Sequence, residues 1–253
     1  MGQHFAASVS DLRRSLLQSG LLVLAGVGWW WTIVTSNRAV GTMGIATTSG
    51  AMSIVSFTVA WIAMMTAMML PALLPVVRLY DNAAARGTVA PTSFFIAGYA
   101  VVWSIVGLPV FFVYRNLSPS LLHGAPTAGR LAGVALVGAG VYQVTPLKAM
   151  CLRHCRSPLN FFMRHAKNLR RESGALVLGM RHGIFCLGCC WMLMAVLVAL
   201  GTMQLAWMAV VALLIFLEKA ASVGELIAKV AGFGFFGLGL WLLIVPTMVG
   251  NIT

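Results

Sequence analysis

Apolar residues in this chain gather into seven runs, at about 15–36, 50–72, 93–114, 129–149, 182–201, 205–222 and 227–248. A helix that crosses a bilayer needs roughly 20 such residues, because the hydrocarbon layer is about 30 Å thick. The pattern therefore predicts an all-α fold: a polytopic transmembrane helical bundle of about seven spans. No repeat, low-complexity tract or soluble module interrupts it, so residues 1–253 read as one integral membrane domain. The first run follows Arg13 and Arg14 and ends on Trp29, Trp30 and Trp31 without a small-x-small cleavage site. It reads as a retained anchor rather than a signal peptide, with its indoles at an interface.

The polar positions between the runs give the orientation. With the N-terminus inside, inner segments hold 14 of the 17 lysines and arginines, and outer segments hold Arg38, Arg115 and Arg130. The positive-inside rule then places the N-terminus in the cytoplasm and the C-terminus outside, in a bacterial cytoplasmic membrane. The longest polar segment, Cys151 to Arg181, is an inner one. Ser157-Pro158 has the look of a helix start, and the mixed apolar and basic stretch to Arg171 is expected to lie flat on the inner leaflet.

Composition changes the picture in one respect. Hydrophobic residues make up 60% of the chain and charged ones 9%, against about 25% charged in soluble domains. The formal net charge of +12 is then a topology signal and an attraction to anionic lipids at the inner face. No nucleic-acid partner is expected.

The candidate chemistry is sulfur. Met64, Met65, Met68 and Met69 lie in the inner half of the second run, Cys151 and Cys155 follow the fourth, and Cys186, Cys189 and Cys190 open the fifth. All nine share one layer, between the bilayer middle and the inner surface. Residues three and four apart share a helical face. The triplet therefore presents three thiols one way, extended by Met194, and the methionines pair at the same spacing. Thiolates and thioethers are soft ligands that favour Cu(I). Plainer accounts stand beside this one: free cysteine is a small buried hydrophobe, and methionine is a flexible core filler. The inner location argues against disulfides, since the cytosol keeps thiols reduced.

Two further groups join the candidate ligands. His182 is one turn before Cys186 and on its face. Glu218, near the inner end of the sixth run, is open to three roles: metal ligand, proton relay, or partner of an inner arginine such as Arg181. Glu225 pairs on paper with Lys229 at i, i+4. Glycines at Gly129, Gly133, Gly232, Gly234, Gly237 and Gly239 are expected to let helix backbones approach closely. No nucleophile triad, phosphate loop or core bis-histidine haem site can be assembled.

Three motifs resemble those of a bacterial multi-pass family labelled as predicted metal-binding integral membrane proteins. They are the Met-Met-Thr-Ala-Met-Met-Leu-Pro run ending at Pro71, Tyr142-x-x-x-Pro146-Leu-Lys148-x-x-Cys151-Leu-x-x-Cys155, and Gly183-x-x-Cys186-x-Gly188-Cys-Cys-Trp191. The resemblance spans roughly 15–248. It implies a metal at Met64, Met65, Met68, Met69, Cys151, Cys155, Cys186, Cys189 and Cys190, and it carries no reaction. The expectation is a membrane protein that handles or transports a soft metal ion, Cu(I) foremost, near the cytosolic face, with a metal chaperone or larger membrane complex as partner. Two other classes remain open: a structural subunit of such a complex, and a membrane thiol oxidoreductase.

Overall fold

The computed structural model describes residues 15–16, 18–34, 54–122, 125–156, 169–200 and 205–246. The expected interfacial helix, over most of its length, and the 37–49 loop lie outside the described residues. Those residues form eight helices and no strand: α1 Gln18–Val34, α2 Ile54–Ala85, α3 Thr92–Leu122, α4 Ala125–Gln143, α5 Pro146–Arg156, α6 Glu172–Leu200, α7 Leu205–Ala220 and α8 Gly224–Ile244.

Four helices are long and apolar enough to cross a membrane: α2, α3 over Thr92–Val113, α6 and α8. The bent pair α4–α5 makes a fifth if it counts as one span. α1 is shorter, and α7, at 16 residues, rises only about 24 Å. Each expected run thus falls on helix, the fourth on two, and among the described residues four or five spans have crossing length rather than seven.

The helices depart from the runs in several places, three of which have a clear local cause. α2 continues through Pro71 and Pro75 to Ala85, because Leu73, Val76, Val77 and Tyr80 remain buried against the bundle. It stops at Gly87, whose φ of 66° suits the left-handed turn after a helix. α6 begins at Glu172 rather than near His182, with an acid in the first turn, where the helix dipole favours one. The fourth run is not one helix. It breaks at Val144-Thr145 and bends by 67°. Thr145 Oγ1 donates to Tyr142 O at 2.7 Å and accepts from Lys148 N at 3.3 Å. Threonine thus caps α5, and Pro146 takes its first turn, where a missing N–H costs nothing. The consequence is that Cys151 and Cys155 ride on a separate short helix that turns back toward α6.

Packing follows the small residues in part. α3 lies along α6, where a Cβ on Gly98 would run into Leu176 O and one on Gly179 into Phe95 O. α4 lies along α8 with Gly133, Gly140, Gly232 and Gly239 in the contact. Gly234 and Gly237 face open space, so the expected glycine seam is narrower than its spacing suggested. Tyr80 donates to Ala90 O (3.1 Å) and Thr92 to Asp81 Oδ1 (2.8 Å), which ties the end of α2 to the start of α3.

Candidate metal centre

The centre is built on two helices. On α6, Cys186, Cys189 and Cys190 are each 1% exposed. Their i, i+3, i+4 spacing turns Cys189 Sγ and Cys190 Sγ back onto the same carbonyl, Cys186 O, at 3.1 and 2.9 Å. On α5, the i, i+4 pair Cys151 and Cys155 faces α6 and is also buried. Cys155 Sγ lies 4.0 Å from Cys189 Sγ. Cys151 Sγ packs over Gly188, 2.8 Å from where a Cβ would stand. Gly188 is thus small because Cys151 needs its space, and Tyr142 donates to its carbonyl from the end of α4. All five cysteines are free thiols.

Within the buried apolar cluster around the thiols, two polar groups reach Cys186. Lys219, at the end of α7, donates to Cys186 Sγ at 3.0 Å. The Tyr99 hydroxyl from α3 lies 3.1 Å from the same sulfur. Neither residue stood out as a neighbour of the thiols: Lys219 counted toward topology and as a charge beside Glu218, and Tyr99 sat in an ordinary apolar run. The i, i+3, i+4 spacing of the α6 cysteines says nothing about which neighbouring helix delivers a cation.

The other candidate residues occupy distinct places. His182 is buried with its ring against Phe95 and Tyr99, at centroid distances of 5.9 and 6.1 Å. It lies at the edge of the cluster on the Cys186 face. Glu218 is paired with Lys148 rather than Arg181, at 2.7 Å, and its second oxygen accepts from Gln143 at 2.9 Å. Both carboxylate oxygens are therefore occupied, and the pair fastens α5 to α7. Glu225 pairs with Arg153 at 2.8 Å instead of Lys229. Met64, Met65, Met68 and Met69 are buried, but α2 packs chiefly on α3 and α7 rather than on α5 and α6. The link from methionine to thiol runs through Tyr99. Met65, Trp61, Trp103 and Tyr99 line a cavity of about 80 Å³, and the Tyr99 hydroxyl reaches Cys186.

Does this set fit a soft ion? Metal–thiolate bonds of about 2.3 Å allow two sulfurs to stand up to about 4.6 Å apart across one ion. The Cys155–Cys189 pair, at 4.0 Å, is inside that limit. Among the described residues, no three His, Cys, Asp or Glu side chains converge into a finished cage. A pair of sulfurs with further thiols nearby suits Cu(I), which accepts two-coordination, better than Zn(II), which takes four ligands in a tetrahedron.

A family model described as a copper chaperone, PpoB2, matches residues 58–242. The chain belongs to that copper chaperone family. Every thiol and methionine of the candidate centre falls inside the matched residues, as do His182, Glu218 and Lys219. No curated protein and no solved structure matches the chain. Membership in the copper chaperone family makes copper the metal to weigh against this geometry, and several helices are long and apolar enough to span a membrane, which is consistent with a membrane protein.

Proposed function

We propose that this protein is a membrane copper chaperone that takes Cu(I) as cargo between α5 and α6, near the cytosolic face of a bacterial cytoplasmic membrane, and passes it on. Cys155 and Cys189 are the bridging pair. Cys186, Cys190 and Cys151 are adjoining thiols to which the ion can shift by ligand exchange. The observation that carries the reading is the 4.0 Å approach of thiols from two helices in a buried layer of five free cysteines.

The chemistry asked of the chain is modest. The thiols bind the ion as thiolates, the form that coordinates metal, and the apolar walls keep water and oxidants away. His182 and Met65 stand beside Tyr99, whose hydroxyl reaches Cys186, and serve with the other methionines of α2 as weaker positions on an entry or exit route. The sequence asymmetry of basic residues supports an inner-face location with anionic lipids around it. A donor or acceptor of copper, such as a soluble metal chaperone or a membrane complex, is the partner this role requires.

Elemental analysis tests the reading. Full-length protein loaded anaerobically with Cu(I) and passed over a desalting column should retain close to one copper per chain. The Cys155→Ser/Cys189→Ser variant should retain almost none. Equal copper in the two preparations would refute the site, and none in either would leave the sulfur layer as packing in an accessory subunit.

A further inference from the structure

We infer that Lys219 sets the charge of the thiol centre and thereby selects a monovalent soft ion over a divalent one. This rests on the Cu(I) reading above and adds a determinant of specificity to it.

The argument is a charge balance in a buried place. Two thiolates holding one ion bring two negative charges, and a monovalent ion cancels only one. Uncompensated charge away from water is costly, so buried charges occur paired. Among the described residues one ammonium donates to the thiol cluster: Lys219 Nζ, 3.0 Å from Sγ of Cys186, the thiol that adjoins the Cys155–Cys189 pair on α6. With it, two thiolates and a monovalent ion sum to zero, whereas two thiolates and a divalent ion sum to plus one. The neighbouring residue makes this assignment sharper. Glu218 would otherwise neutralise Lys219, but it is already held by Lys148 at 2.7 Å and by Gln143 at 2.9 Å. Two adjacent residues at the end of α7 thus point to different helices. Glu218 is spent on α5, and the Lys219 charge is left to the thiols on α6. Geometry agrees with charge, because the close sulfur pair offers two ligands rather than the four that Zn(II) prefers.

Without Lys219 the balance reverses. Two thiolates and Zn(II) become neutral, while two thiolates and Cu(I) keep a net negative charge. Substitution should therefore move the two affinities in different directions, which a merely structural defect would not do.

The test is a pair of competition titrations on the full-length protein in detergent under anaerobic conditions. One uses a chromogenic Cu(I) chelator and the other a fluorescent Zn(II) chelator. Lys219→Met and Lys219→Gln remove the charge, the second keeping a hydrogen-bond donor, and Lys219→Arg retains it. Loss of a group that supports metal ligands costs about 10–100-fold in affinity. Both neutral variants should lose Cu(I) affinity by that factor with Zn(II) affinity held or raised, and Lys219→Arg should keep most of the Cu(I) affinity. Unchanged Cu(I) affinity in the neutral variants would overturn the inference, as would a parallel fall for both metals. Wild-type protein that takes up no Cu(I) would overturn the copper reading itself.

Discussion

The Lys148–Glu218 pair gives a prediction that can be worked from the structure. It joins the helix carrying Cys151 and Cys155 to α7, and both side chains are 2% exposed at a separation of 2.7 Å. At an effective dielectric of about 20, unit charges at 2.7 Å attract by about 6 kcal/mol. Desolvation of both groups offsets much of that attraction, so the pair as a whole contributes little net stability. Removing one member is a different matter, because it strands the other charge in the interior at a cost of about 3–5 kcal/mol. Lys148→Met alone should therefore destabilise strongly. Glu218→Gln alone should do so somewhat less, since the new amide can still accept from Gln143. The double variant should be more stable than the sum of the two single losses by at least about 2 kcal/mol, within the range of coupling seen for contacting residues. Reversible unfolding in mixed micelles measures the cycle, and maleimide labelling of Cys151 and Cys155 reports whether α5 has come away. Additive losses, or single variants as stable as the wild type, would refute the idea that this pair holds α5 in place.

Two other substitutions probe the centre. Gly188→Ala puts a Cβ 2.8 Å from Cys151 Sγ, so Cys151 must shift; copper affinity measured by chelator competition should fall, and Cys151 should label faster with maleimide. Replacing Met64, Met65, Met68 and Met69 together by leucine should cost under about 1.5 kcal/mol per site in stability, since the swap conserves volume. Bound copper at equilibrium should stay near the wild-type level, while transfer to an acceptor chelator, followed by stopped flow, should slow.

Much of the helix layout was legible because burial in lipid leaves a simple record: a long apolar run forms a helix. The cysteines expected in one layer do include a pair that meets across α5 and α6, Cys155 and Cys189. What hydropathy could not report was direction. The fourth run stays apolar through Val144, so the break is invisible to it, although Thr145-Pro146 spells out a cap and a first-turn proline. Helical periodicity gives the face of a residue but not its neighbour. That is why Met65 and Cys186, expected at one depth, are linked through Tyr99, and why Gly234 and Gly237 look like their packed relatives but face open space. The roles of Lys219 and Lys148 were hidden for another reason. Each is a basic residue at a helix end expected to face inward, where the positive-inside rule already accounts for a lysine.

The central claim is that a thiol pair across α5 and α6 holds Cu(I), and X-ray absorption at the copper edge tests it most directly. Full-length protein loaded with Cu(I) should show a first shell of sulfur only, at low coordination number, with that shell lost in the Cys155→Ser/Cys189→Ser variant. A first shell of nitrogen or oxygen, or the same sulfur shell in the variant, would contradict it.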